Sequence, residues 1–385
     1  MGTAMRRRAV IAGVGHSAFG HFPGRTALDL EVEAARNAVA DAGLRKQEID
    51  GLLTAPGPMQ GIVKGITPQF LSLGQHLGLD PDLVGSDILG GATSAAIIQR
   101  AVMAIEAGLC SACLCVYGDS PSSTTASFRY GRGEESIFGL YGAVGLHAFA
   151  AQRHMHRYGT RPEHLAEIAI AARAHGARTP HAQLREPLDL DGYLASRWIA
   201  EPLRRADCCL VSDGAAAVVV CARDRVPDLP KVPVSVMGHG QAHSLATWAS
   251  PDHFDTSPAA RCGPAAMRRA GIQVGDVDVA LLYDSFTITV LMQLEDYGFC
   301  AKGEGGQFVE GGRIGPTGSL PVNPSGGLLA EGYGGGMMHV IEAVHQLRGE
   351  AGPRQIRDAG IALVSGDGLG MNTHATLILG RGHDV

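Results

Sequence analysis

The chain has 385 residues, enough for two ordinary domains or for two halves that share one core. With 45% hydrophobic residues, a mean hydropathy near zero and no apolar run approaching the roughly 18–20 residues that span a bilayer, it reads as a soluble globular protein without a membrane helix. A net charge of −6, with arginines scattered rather than striped, gives no reason to expect nucleic acid as a partner.

The start, MGTAMRRRAVIAGVG, is basic and then apolar. Its apolar part is too short for a signal peptide and runs into a Gly/His turn with no small-residue cleavage site, so RRAVIAGVG is expected as a first β-strand. TALDLEVEAARNAVADAG carries apolar residues at helical spacing and stops at Gly43. IDGLLTA reads as a strand. ATSAAIIQRAVMAIEAG is a helix of small residues, apolar on most faces and therefore buried, ending at Gly108. CSACLCVYGD and GAAAVVVCAR follow as buried strands, and the alternation is that of an α/β protein. Of eight cysteines, Cys110, Cys113 and Cys115 lie in one of these apolar runs and Cys208 and Cys209 are adjacent. No second pair with ligand spacing accompanies Cys110 and Cys113, so the cysteines read as buried, reduced thiols rather than zinc ligands, and they imply a cytoplasmic protein.

The second part of the chain repeats this order. AARNAVADAGLRKQEIDGLL (34–53) lines up with PAAMRRAGIQVGDVDVALL (264–282), VPVSVMGHG answers RRAVIAGVG, GIALVSGDG answers LCSACLCVYGD, and HATLILGR answers AAAVVVCAR. Two similar halves are expected, about 1–228 and 229–385. The stretch 119–206 has no counterpart in the second half. Rich in His, Arg and Pro, it reads as an insertion that covers a site. Within it, His147, His154 and His156 lack a carboxylate at ligand spacing and are expected on a solvated or ligand-facing helix.

Four local motifs give the repeat a family. RADCCLVSDGAAAVVV resembles the cysteine-pair strand of sterol-carrier-protein thiolases, and HRYGTRPEHLAEIA resembles the start of their acyl-CoA-binding insertion. NPSGGLLAEGYGGG is similar to the thiolase loop N-P-x-G-G-x-x-x-x-G-H-P, and VDVALLYDSFTI to the motif ending H-D-C-F or N-E-A-F. The resemblance implies the thiolase fold: an α/β protein of two duplicated βαβαβαββ halves in a five-layer αβαβα arrangement, with an inserted loop region. The departures from the pattern are informative. The thiolase nucleophile, a cysteine at the N-terminus of the buried helix, falls at Gly91. The histidine of the glycine loop is Tyr333, the polar residue of the other motif is Tyr283, and the second cysteine falls at Val364 or Ser365. Every Claisen residue is absent while the glycine scaffold is kept.

The same replacements characterise thiolase-like aldolases that cleave steroid side chains. That match implies retro-aldol C–C cleavage of a β-hydroxyacyl-CoA bearing a tertiary alcohol, giving a 17-ketosteroid and propionyl-CoA. It also implies a homodimer with a sheet continuous across two subunits, near CSACLCVYGD or its neighbours. A small OB-fold and zinc-ribbon partner would complete a heterotetramer. No covalently bound cofactor is implied; coenzyme A is part of the substrate. Such a step needs a base, an oxyanion hole and an acid. Backbone amides at Gly91, Gly366 and Gly368 can form the hole. Tyr283 and Tyr333 rank first as acid and base, and Asp284 third, with Asp367 at a similar strand end. Ionising a free phenol at pH 7 costs roughly 4 kcal/mol, so relay through neutral phenols is the easier route. Gly326, Gly327, Gly332 and His339 are expected at the substrate, and Arg173 and Arg178 at the coenzyme A phosphates. Plainer readings stand beside these: a cap for Asp284, a helix histidine for His339, solvent exposure for the arginines. Two rivals remain: a Claisen acyltransferase using another cysteine, and a non-catalytic acyl-CoA-binding or scaffold subunit.

Overall fold

The computed structural model describes residues 9–58, 68–124, 137, 139–140, 142–244 and 254–382. Arg7 and Arg8 of the first expected strand, and residues 125–136, 138 and 141 of the expected insertion, lie outside the described residues. The chain runs β1 (Ala9–His16), α1 (Ala27–Asp41), β2 (Gly51–Pro56), α2 (Gln69–Leu77), β3 (Leu83–Ser86), α3 (Thr93–Glu106) and β4 (Ala112–Asp119). Next come α4 (Gly142–Tyr158), α5 (Pro162–Ala177), α6 (Leu190–Ala195), a hairpin of β5 (Trp198–Ala200) and β6 (Leu203–Arg204), and β7 (Gly214–Ala222). The remainder is β8 (Val234–His243), α7 (Ala259–Ala270), β9 (Val279–Leu281), α8 (Thr287–Asp296), α9 (Gly305–Val309), α10 (Gly327–Ala330), α11 (Met337–Arg348), β10 (Ile361–Gly368) and β11 (Thr373–Arg381).

One nine-stranded sheet carries the order β3-β2-β4-β7-β1-β8-β11-β10-β9. Reading outward from the β1/β8 seam, β7-β4-β2 on one side matches β11-β10-β9 on the other. The seam is a short antiparallel ladder of Val10 with Ser235 and Ile11 with Val234. The repeat extends to glycine contacts. A Cβ on Gly13 would lie 2.3 Å from the Ala38 carbonyl of α1, and one on Gly238 would lie 2.3 Å from the Ala266 carbonyl of α7. Each first strand therefore admits its helix at backbone distance because its AGVG or MGHG segment has no side chains there.

Layering follows from which helices are apolar all round. α3 and α11 have buried residues on nearly every face and touch strands of both sheet halves, so they form the middle layer. Their core joins Ile97, Ile98 and Ile105 to Val340, Val344 and Leu377. α1 and α2 cover the outer face of the first half, where Leu30, Ala34, Leu73 and Val219 pack. α7 and α8 cover the outer face of the second half, together with α4 and α5 of the insertion. This is the five-layer arrangement of the thiolase fold.

Two expectations change. His147 and His154 are buried rather than solvated: His154 meets Thr160 at 2.7 Å and Glu295 at 3.0 Å, and His147 stacks on Phe286; only His156 is exposed. β4, the CSACLCVYGD strand, is paired on both sides, so it has no free edge to offer a second subunit; β3 is the sheet edge of that half.

Candidate active site

The two tyrosines reach one point from two different loops. Tyr283 follows the short strand β9, and Tyr333 sits in the turn between α10 and α11. Asn323 ties these segments together. Its side chain accepts the Leu282 N–H at 2.8 Å and donates to the Leu282 carbonyl at 2.8 Å. It does so from a left-handed backbone conformation, φ 51°, which asparagine tolerates better than most side chains. Ser94, in the first turn of α3, donates to the Gly335 carbonyl at 2.7 Å, and Ser212 accepts the Tyr333 N–H at 3.2 Å. The hydroxyls of Tyr283 and Tyr333 end 3.1 Å apart. Tyr117 meets the Tyr333 ring edge-on at 6.5 Å.

Gly91 lies in the turn that opens α3, as expected for the nucleophile position. A Cβ there would fall 2.0 Å from Cζ and 2.3 Å from the hydroxyl oxygen of Tyr283, and 2.4 Å from the Asp367 carbonyl oxygen. The Tyr283 ring occupies the space that a side chain at position 91 would fill. It is 3% exposed, and burial, with Tyr333 beside it, holds its phenol neutral by raising its pKa well above the usual range.

Asp284 is not placed to act as a base. The buried carboxylate accepts the Leu328 N–H at 3.0 Å, the Leu329 N–H at 3.2 Å and His339 Nε2 at 3.0 Å. It clamps the glycine loop. Gly327 is required by that clamp: its φ is +59°, and a Cβ would lie 2.2 Å from Asp284 Oδ2. His339 stands behind Tyr283, ring centroids 6.1 Å apart, with its own side chain buried. The glycines expected at the substrate pack against protein: Gly326 on Gly176 of α5, Gly332 on Phe19 and Gln183. Gly366 and Gly368 let β10 approach the turn at Gly91, one against the Ala92 backbone and the other against the Leu89 carbonyl. The Gly368 amide faces the Asp367 carboxyl; of the three glycines, Gly91 is the one against Tyr283, and Gly366 lies against the Gly91 carbonyl. Val364 packs in the middle layer, whereas Ser365 and Asp367 point to the opposite face of β10, so Val364 is the counterpart of the second cysteine.

The insertion touches this loop directly. Gln183 N–H and Leu184 N–H donate to the Glu331 and Ala330 carbonyls at 3.1 and 3.0 Å. Arg178 donates to the Pro353 carbonyl at 2.5 Å and Arg173 is half-buried, so both are built into the protein surface. Cys209, read from the sequence only as one of the buried thiols, lies at the site. It pairs through its N–H with the Ser285 carbonyl at 2.9 Å, beside Tyr283 and Asp284. Burial pushes its thiol pKa up, and it stands in a loop rather than at a helix start, so it is a poor nucleophile. The motif RADCCLVSDG was the available signal.

Fold and site together define a thiolase-like protein with glycine in the turn that opens its buried helix α3. Residues 239–381 match the family described as Thiolase C-terminal domain-like. The chain is 33% identical to the steroid side-chain-cleaving aldolase of Thermomonospora curvata, over 89% of this chain and 90% of the relative. It is 32% identical to the 17-hydroxy-3-oxo-4-pregnene-20-carboxyl-CoA lyase of Mycobacterium tuberculosis, over 89% of this chain and 92% of that one. The solved Ltp2-ChsH2(DUF35) aldolase superposes with a TM-score of 0.88 at 33% identity, covering 97% of each chain. The chain belongs to the thiolase-like family of steroid side-chain-cleaving aldolases, which are carbon–carbon lyases.

Proposed function

We propose that this enzyme cleaves the C–C bond of a β-hydroxyacyl-CoA whose hydroxyl is tertiary, by a retro-aldol step without a cysteine nucleophile. The substrate is a 17-hydroxy steroid C22 acyl-CoA; the products are a 17-ketosteroid and propionyl-CoA. The observation that carries this reading is the paired hydroxyls of Tyr283 and Tyr333, 3.1 Å apart, with the Tyr283 ring in the space of a missing side chain at Gly91.

The reaction moves one proton, from the β-hydroxyl to the α-carbon. The hydroxyl O–H breaks, its oxygen becomes the ketone, and the electron pair of the C–C bond passes into the thioester enolate. In the same concerted movement the α-carbon takes a proton from the second phenol. Two touching phenols can do this without ionising: each accepts one proton and gives one, and the site returns to neutrality. This suits a Tyr283 phenol that burial keeps protonated. Backbone amides around Gly91 and Gly366 serve as the oxyanion hole for the enolate. A Claisen step, by contrast, needs an acyl-enzyme that glycine cannot form.

We propose further that the chain works in the cytoplasm as a homodimer, and in complex with a DUF35-type partner built of an OB fold and a zinc ribbon. The solved aldolase complex supports the partner, and the edge of β3, unpaired among the described residues, supports the dimer. No helix among the described residues is long and apolar enough to cross a membrane. The test is a product assay by mass spectrometry on the chain co-expressed with such a partner. Ketosteroid and propionyl-CoA should appear, vanish in Tyr333→Phe and Tyr283→Phe, and persist after iodoacetamide. An assembled complex that binds acyl-CoA tightly and cleaves nothing would instead establish a non-catalytic carrier.

A further inference from the structure

Tyr283 is held by its own peptide as well as by its ring. Gln293, buried in α8, donates from Nε2 to the Tyr283 carbonyl at 2.7 Å and accepts the Tyr283 N–H on Oε1 at 3.1 Å. These two bonds fix which end of the amide is oxygen, because a flipped amide would set donor against donor and acceptor against acceptor. The second Nε2 hydrogen goes to the Thr289 carbonyl at 2.8 Å; the single Thr289 hydroxyl hydrogen is shared between the Phe286 carbonyl at 2.6 Å and the Tyr283 carbonyl at 3.1 Å.

The second acceptor position of Gln293 Oε1 is filled by Ser365 Oγ at 2.6 Å. Ser365 has one hydrogen, and giving it to Gln293 leaves its oxygen as an acceptor toward His374 Nε2, also at 2.6 Å. His374 Nε2 must then carry the ring hydrogen. His374 is fully buried and burial keeps it neutral, with its pKa pushed down to about 3, so Nδ1 is a bare acceptor. Nδ1 lies 3.7 Å from Asp367 Oδ1, and neither atom has another hydrogen-bond partner among the described residues. The gap is too long for a hydrogen bond as it stands, but a proton on Asp367 makes the facing atoms a donor and an acceptor that a shift of about half an ångström joins. The donors then run one way: Asp367 to His374 to Ser365 to Gln293. Ionised, Asp367 would draw the His374 hydrogen to Nδ1, Ser365 would turn its hydrogen to Nε2, and Gln293 Oε1 would face a bare oxygen.

We propose that Gln293 is the positioning residue for Tyr283, and that Ser365, His374 and a protonated Asp367 hold Gln293 in the one orientation that grips the tyrosine's peptide. This rests on Tyr283 acting in the proton relay. Burial of Asp367 outweighs the Gly368 amide, which favours the ionised form. Burial raises its pKa to about 8, and Asp296, at the end of α8, adds a negative charge. Asp296 itself is engaged by Lys302 at 2.6 Å and by Ser257 at 2.7 and 2.9 Å. Tyr297 meets the His374 ring edge-on at 6.0 Å, and its hydroxyl bonds Thr376 at 2.7 Å and also reaches Ser365.

The experiment uses the chain assembled with its partner, in two readouts. In the first, kcat and KM are followed from pH 6 to 10. Gln293→Leu should lower kcat by ~10²-fold with KM within about threefold, the effect of misplacing a catalytic group by about 1 Å. Wild-type kcat should fall as pH rises through about 8, the value to which the Asp367 carboxyl is raised. Asp367→Asn, whose Nδ2 hydrogen feeds His374 Nδ1 at every pH, should remove that fall and raise the ratio of kcat at pH 9 to that at pH 7. In the second, the protein carries tyrosine labelled with 13C at Cζ, and the resonance lost in Tyr283→Phe should shift over the same pH range, but not in Asp367→Asn. An unchanged alkaline fall in Asp367→Asn, or a Tyr283 resonance indifferent to Asp367, overturns the proposal. A resonance that responds in a complex that cleaves nothing supports the clamp and overturns the relay.

Discussion

Substitution of Gly91 by alanine tests whether Tyr283 has taken the place of the missing side chain. Carbon atoms in contact sit about 3.5–4.0 Å apart. An alanine Cβ at position 91 would sit 2.0 Å from Tyr283 Cζ, and the Asp367 carbonyl at 2.4 Å blocks the other side. A shift of a few tenths of an ångström does not relieve this, and a larger one works against Gln293, which grips the Tyr283 peptide, and His339, which backs its ring. Overpacking of this kind costs about 1–3 kcal/mol, and the upper end is expected for Gly91→Ala. Removing the ring in Tyr283→Ala relieves most of the clash but not the contact with Asp367. The two substitutions should therefore be non-additive by about 1–2 kcal/mol in urea unfolding of the four proteins. Gly91→Ala should also lose on the order of 10²-fold in kcat, since the ring must move by an ångström or more. Additivity within about 0.5 kcal/mol, or a kcat for Gly91→Ala within about threefold of wild type, would refute the reasoning.

Other outcomes follow from the same geometry. Asp284→Ala should cost about 3–5 kcal/mol by chemical denaturation, because it leaves His339 and the amides of Leu328 and Leu329 without their buried acceptor. Asn323→Gly keeps the positive φ and loses both bonds to Leu282, for about 2 kcal/mol; Asn323→Ala should cost about 1 kcal/mol more for the left-handed backbone. Asp367 makes stability depend on pH. Its pKa is raised from 3.8 to about 8, so across that window the native state keeps a proton that the unfolded chain has lost. Stability therefore falls with rising pH, by up to ~1.4 kcal/mol per unit. Glu342, raised to about 7, contributes a slope of the same sign at the lower end. Melting temperatures of wild type and Asp367→Asn should diverge steadily from pH 5 to pH 8, with the variant the more stable, and parallel curves would show that Asp367 is ionised throughout.

The duplicated order of strands and helices was legible because each half repeats its glycines and its apolar runs in sequence, down to the AGVG and MGHG segments that seat α1 and α7. The two tyrosines were legible because the glycine pattern around them survives intact. Other features were not. Whether Asp284 faces a substrate or a backbone depends on α10 presenting two amides to it, a meeting of residues 44 and 45 positions apart. Gln293 reads as one more position on a buried helix until the end of β9 is seen to lie beneath it. Ser365 and Asp367 share a face of β10, and strand alternation states that much. Which face it is, and that His374 stands opposite, requires the register that pairs Asp367 with His374 in the β10–β11 ladder.

The filled space over Gly91 also orders history. A side chain at position 91 and a tyrosine ring at position 283 exclude each other, whereas glycine at 91 tolerates either a ring or a smaller group opposite. A lineage passing from a cysteine-bearing ancestor to this enzyme must therefore lose the cysteine before, or together with, its gain of the tyrosine. Where the loss comes first, the intermediate carries glycine at 91 opposite a smaller residue, and a descendant that has reached Tyr283 cannot regain the cysteine in one step. No reconstructed ancestor should combine cysteine at 91 with tyrosine at 283.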